Sequence, residues 1–181
     1  MNGLCMALNS FSRDDLIRVS DALDIAEDVT GNFFKFSLGQ WKRHRYDVRT
    51  LSRLTREEIR SNVFAFLNKK ARALGEYESK TRKRDFYFIC LQDHLILNAL
   101  RRDKDLTLLS LMLYVFTHEL VHIVRFCNFQ KRYDAAGIER DREEKVVYTT
   151  THEILKDLAV PKLGYVLDFY KDHRTCEIVT H

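Results

Sequence analysis

The sequence predicts an α+β fold, mainly α, in which one buried helix packs on a following helix beside a small β-sheet. Three observations predict it. An uncharged run from Leu106 to Thr117 leads directly into His118-Glu119-Leu120-Val121-His122. Two segments open with a Ser or Thr capping box ahead of apolar residues at helical spacing. One aromatic and β-branched run, Phe86 to Leu91, has the composition of a strand. The 181 residues are 45% hydrophobic and 31% charged, with one proline and six glycines, which excludes a disordered or fibrous chain. No repeat or linker interrupts them, so a single domain over 1–181 is expected, with 1–84 as a helical N-terminal part.

The elements follow in order. Ser12-Arg13-Asp14-Asp15 has the form of a capping box, and Leu16, Val19, Leu23 and Ala26 continue at helical spacing until Thr30-Gly31. From Asn32 to Thr50 the aromatic and basic residues show no clean period and read as irregular. Thr55-Arg56-Glu57-Glu58 predicts a second amphipathic helix through Ile59, Val63, Phe66, Leu67 and Leu74, ended by Gly75 and carrying basic charge outward. A basic turn, Lys80 to Arg84, precedes the strand. Asp105 is placed to cap a long helix from about Leu106 to Cys127, apolar nearly all round and therefore central. Asn128 to Ile138 reads as a loop, and Glu139 to Ala159 as a helix stopped before Pro161. A short helix from Leu163 to Tyr170 and a loose end complete the chain.

Composition narrows the setting. Cys5, Cys90, Cys127 and Cys176 form no Cys-x-x-Cys pair, which argues against a zinc ribbon or disulfide framework and for a reducing, cytoplasmic setting. The first residues lack a basic n-region, so no signal peptide is expected. The run Leu106 to Thr117 is too short to span a bilayer, and extending it brings in His118, Glu119 and His122, so a buried helix is expected rather than a membrane anchor. Lys42 to Arg84 carries 14 Lys or Arg against 5 Asp or Glu within a chain of net charge +4. Such a segment suits nucleic acid or an acidic protein partner.

The chemistry concentrates in His118-Glu119-Leu120-Val121-His122. On a helix, four-residue spacing puts both imidazoles on one face, where they can bind one metal ion, with Glu119 beside them. Two satisfied core histidines would be the bland explanation, but three ionisable groups on one apolar helix need a metal or partners. The string Val115-Phe116-Thr117-His118-Glu119-Leu120-Val121-His122-Ile123-Val124 resembles the extended signature of zincin-type metallopeptidases, whose motif is flanked by uncharged residues. The metzincin form is not met: Arg125 stands in the glycine position and Asn128 in that of the third histidine. A glutamate about twenty residues on, Glu143 or Glu144, is similar to the gluzincin arrangement, although no Asn-Glu or Glu-x-x-x-Asp string accompanies it.

Catalytic zinc usually takes three protein ligands. Glu144 is favoured as the third because it shares a helix face with Tyr148 and His152, with Glu143 as the alternative; the unused glutamate would serve the helix N-terminus. His152 has three readings: a donor to a developing oxyanion, the third ligand in place of glutamate, or a surface residue. Tyr148 and Tyr133 are further candidates for the oxyanion, and Thr117 and Asp141 for orienting ligands. His44, His94, His173 and His181 have no partner at ligand spacing.

The resemblance implies a zinc-dependent hydrolase of peptide or related amide bonds, a metallopeptidase with one Zn²⁺ held by His118, His122 and Glu144 and with Glu119 as general base toward a metal-activated water. It also implies that a strand such as Phe86 to Leu91 holds an extended peptide along the rim of the site. It covers about 40 residues, Val115 to Glu153. The chain is small for the class, which fits a narrow substrate, a latent form or a lost activity. A different class of function is a non-catalytic, metal-stabilised binding module that uses the basic face of 42–84 for nucleic acid or protein. Mn²⁺ or Fe²⁺ in a two-His-one-carboxylate site is the alternative metal.

Overall fold

The structure is a computed structural model and describes residues 8–43, 45–72, 84–128, 137–171 and 176–179. Helix α1, Arg13–Phe34, opens on the expected box: the Ser12 side chain accepts from the Asp15 N–H, and the Asp15 carboxylate accepts from the Ser12 N–H at 2.9 Å. It does not stop at Thr30-Gly31. It continues to Phe34 and ends at Lys35, which is left-handed with φ of 53°. Gly31 serves close approach instead, since a Cβ there would stand 3.3 Å from both the Phe36 carbonyl oxygen and Trp41 Nε1.

The stretch read as irregular holds a short helix, α2 at Leu38–Arg43, and strand β1 at Tyr46–Arg49. The second amphipathic helix is not formed. Thr55 and Glu58 make their capping box, but it closes a single 3₁₀ turn, Arg56–Glu58, and the chain then runs into strand β2 at Ala65–Arg72. The reason is pairing. β2 lies antiparallel to β3, Arg84–Leu91, in register from Ala65↔Leu91 to Arg72↔Arg84. Val63, Ala65, Phe66 and Leu67 are all buried, so this strand is covered on both faces. A two-sided buried strand has no period-two signature and mimics helical spacing. Leu74, Gly75 and the basic turn over 80–83 lie outside the described residues. So of the helical N-terminal part expected over 1–84, α1 and α2 are present, whereas 46–49 and 65–72 are strands.

Helix α3, Asp93–Arg102, follows β3 at once and had no clear sequence signal. Its first residue is a buried staple: the Asp93 carboxylate accepts from the Phe11 N–H at 3.1 Å and the Leu51 N–H at 3.0 Å. Helix α4, Leu108–Cys127, is capped by Thr107, whose hydroxyl accepts from the Ser110 N–H. Asp105, the expected cap, instead pairs with Lys162. Helix α5 spans Ile138–Leu155, ending earlier than the Pro161 signal suggested, and helix α6 spans Leu163–Tyr170 as expected. The loop expected over 128–138 lies mostly outside the described residues. Part of the expected loose end is strand β4, Cys176–Val179.

The fold is therefore α+β, mainly α, with a four-stranded sheet in the order β1-β3-β2-β4. β1 runs parallel to β3 and β4 parallel to β2. Helix α4 contacts α1, α5, α6, β2 and β4, and every residue from Ser110 to Val124 is buried. By length and composition α4 is apolar enough to cross a membrane, but 89% of its apolar window is buried inside the protein. One face of the sheet, with Ala65, Leu67, Tyr87, Ile89 and Leu91, joins α4 in a single core. Leu67, Ile89 and Leu91 each contribute about 1.5–3 kcal/mol by leaving water.

Candidate metal centre

The centre lies where the C-terminal half of α4 meets the start of α5. His118 and His122, one turn apart, have ring centroids 4.9 Å from each other. His122 stacks on Phe126 at 5.8 Å, and Phe126 stacks in turn on Tyr87 of β3 at 6.2 Å, so the sheet backs the imidazole. On the other side Tyr114 tilts against His118 at 6.3 Å.

Glu144 of α5 faces both histidines. Its Oε2 is 3.4 Å from His118 Nε2 and its Oε1 is 3.4 Å from His122 Nε2. One ligand atom from each of the three lies within 4.8 Å of the others, a group that could hold a metal ion. The spacing fits such an ion. Ligands at about 2.0–2.2 Å on a tetrahedral metal are separated by about 3.3–3.6 Å, which brackets the two observed distances. Their hydrogen bonding fits as well. His118 Nδ1 and Nε2, His122 Nδ1 and Glu144 Oε1 are shut off from solvent and make no hydrogen bond among the described residues. Buried polar atoms are normally satisfied, and a cation between the side chains would satisfy Nε2 and Oε1 together.

The electrostatics are those of a carboxylate held between two imidazoles. Burial pushes the Glu144 carboxyl up, but His118 and His122 more than reverse this and hold it far below the usual carboxylate range. Burial presses both imidazoles down. For His118, Glu144 with Glu119 as a second negative group carries the balance upward. For His122, burial prevails over Glu144, with His118 adding to the downward push. Glu119 itself is fully buried beside His118.

The remaining candidates fall elsewhere. Glu143, the alternative ligand, is outside the metal-holding group and is held by Arg125 instead: Arg125 Nε donates to its Oε1 at 2.6 Å and Arg125 Nη2 to its Oε2 at 2.8 Å. His152 is half-buried, eight residues past Glu144 and therefore about 12 Å farther along α5. It stands outside the metal-holding group, so a third-ligand role is corrected. The Tyr148 hydroxyl donates to the Leu167 carbonyl of α6 at 3.4 Å. Thr117 Oγ1 is buried and makes no hydrogen bond to a ligand among the described residues, and Asp141 is exposed in the first turn of α5. Tyr133, His44, His173 and His181 lie outside the described residues. His94 faces the Arg60 carbonyl at 3.1 Å.

Two expectations change with the topology. β3 is interior, flanked by β1 and β2, so the run Phe86 to Leu91 has no open edge for an extended peptide. Among the described residues, the cations of 42–84 do not share one long amphipathic helix. Arg49 lies 3.7 Å over the Phe88 ring and 3.7 Å from Glu58, Lys70 is 4.0 Å from Glu58, and Arg60 lies 4.8 Å over Phe66. The residue that sequence reasoning missed is Arg125. It is the only basic residue of α4, and a lone cation on a buried helix requires a buried anion, which was the available signal.

The chain matches no protein-family model, and no curated protein and no solved structure shows significant similarity to it.

Proposed function

We propose that this protein is a metal-dependent hydrolase of peptide or related amide bonds, with His118, His122 and Glu144 as the metal ligands and Glu119 as the general base. The observation that carries this reading is the convergence of two buried imidazole nitrogens and a part-buried carboxylate at 3.4 Å, beside a fully buried fourth ionisable group. Two histidines and one glutamate are the ligand set of a catalytic rather than a closed structural zinc site, and imidazole with carboxylate suits zinc. When bound, the metal supplies a Lewis acid that brings the pKa of water toward neutrality and polarises a carbonyl.

The chain's own residues do the rest. The helix period places Glu119 one residue past His118, where a carboxylate oxygen takes the proton of the attacking water and returns it to the leaving amine nitrogen. The apolar flank of α4, Val115, Phe116, Leu120 and Val121, keeps bulk water out and strengthens each of these interactions.

Elemental mass spectrometry on purified wild type and His118→Ala tests the site first. About one zinc per chain is expected in the wild type and none in the variant. Peptide-library cleavage then tests the activity, with Glu119→Gln retaining metal and losing about 10²–10⁴ in rate. A wild type that takes up no metal after zinc is added back overturns the reading. Mn²⁺ or Fe²⁺ in place of zinc keeps the ligands but changes the chemistry.

A further inference from the structure

We infer that Arg125 and Glu143 are a positioning pair for the metal centre, a buried clamp between α4 and α5 that determines which face of α5 meets His118 and His122. The inference rests on the metal-site reading above. Its geometry is a planar fork, with two parallel hydrogen bonds of 2.6 and 2.8 Å. The Glu143 side chain is 4% exposed and that of Arg125 17%. Arg125 stands three residues past His122, and Glu143 immediately precedes Glu144, so each partner is within one turn of a ligand.

The face that helix α5 buries is narrow. Its buried residues are Glu143, Val147, Thr151 and Leu155, one narrow stripe at four-residue steps. Positions 137–142, ahead of Glu143, are exposed or half-exposed. A helix seated along such a stripe can roll. A roll of one residue step, about 100°, would bring Glu143 to the histidines in place of Glu144. The fork resists that roll because a guanidinium and a carboxylate bind in matched planes through two bonds at once, whereas a lysine is a point charge. Neither member can be lost singly without stranding the other's buried charge.

Cobalt(II) titration of the full chain tests the clamp in wild type, Arg125→Lys, Glu143→Gln and Glu144→Gln. Three readouts are compared: affinity by competition, the visible d–d absorption of the bound ion, and the melting temperature of the metal-free protein. The expected result is a loss of about 10–100-fold in cobalt affinity in Arg125→Lys and Glu143→Gln, with altered d–d bands. Glu144→Gln, which removes a ligand, is expected to lose more. Arg125→Lys keeps the charge and the aliphatic stem, so it carries the test if Glu143→Gln does not fold.

Affinity within about threefold of wild type with an unchanged spectrum overturns the inference. That holds even if the melting temperature falls, since such a result marks a plain helix-to-helix staple. If the wild type binds no cobalt, the metal-site reading fails and the clamp with it. That outcome is distinct from failure of the clamp alone, in which wild type and both clamp variants bind alike and Glu144→Gln does not.

Discussion

Glu143 and Glu144 carry the same side chain and are neighbours in the chain, yet one faces two histidines and the other an arginine. A single residue step on a helix turns the side chain by about 100°, and that turn separates the two roles. The pair His118 and His122 was legible in the sequence because both residues ride on one helix, where spacing converts directly into direction. Between the glutamates the sequence favoured Glu144, the one that meets the histidines. The shared face with Tyr148 and His152 was not the reason, since the choice depends on how a second helix is rotated against the first. Tyr148 and His152 illustrate the same limit: they share a face with Glu144 at four-residue steps, but each step also climbs about 6 Å. At this scale Cys90 gives a separate prediction. Burial, with Glu58 adding to it, pushes its thiol up to about 12, so roughly one part in ten thousand is thiolate at pH 8. Iodoacetamide is expected to leave Cys90 unmodified in the folded protein and to alkylate it in guanidinium, as read by peptide mass spectrometry. Labelling in the native state would contradict the buried environment.

At the scale of the elements, a helix with both a start signal and a one-sided apolar stripe was readable, as α1 demonstrates. β2 was not. Its residues are buried on both faces, so the alternation that marks a half-exposed strand is missing, and the genuine Thr55 box ahead of it opens only one turn. Pairing with β3, a contact distant in sequence, outweighs the local signal. The cap of α4 was misplaced by two residues. Thr107 makes the capping bond, while Asp105 pairs with Lys162 at the surface. Thr107→Ala is expected to lower stability by about 1 kcal/mol and Asp105→Ala by no more than about 0.5 kcal/mol. Chemical denaturation of the two variants checks the order, and a larger effect at Asp105 would reverse the cap assignment.

For the whole molecule, the mainly helical α+β class and the central place of α4 were readable from one apolar stretch, because a helix apolar all round has to be surrounded. The order of the strands was not, since nothing local encodes which strands become neighbours. The centre also joins separate parts of the fold: α4 and α5 supply its side chains, and β3 backs it through Tyr87 and Phe126. Metal binding is therefore expected to stabilise the entire protein. At zinc a hundredfold above the dissociation constant the gain is about 2.7 kcal/mol, or about 5–10 °C in melting temperature for a chain of this size. Chelation is expected to remove that gain, and His118→Ala to show no response to zinc. A melting temperature insensitive to zinc in the wild type would contradict the coupling.

The parallel pair of β2 and β4 joins residues more than one hundred positions apart. During synthesis, β2 and β3 are made long before the segment that will lie along β2's far side. Until 176–179 emerge, the backbone of Ala65 to Asn68 presents unpaired donors and acceptors along a strand rich in buried apolar residues. The sheet therefore closes late, in a search slowed by the loop between its partners. A newly made chain passes through an interval in which this edge is open to the same edge of another copy, and chaperone demand and temperature sensitivity during expression are set there rather than by the stability of the finished fold.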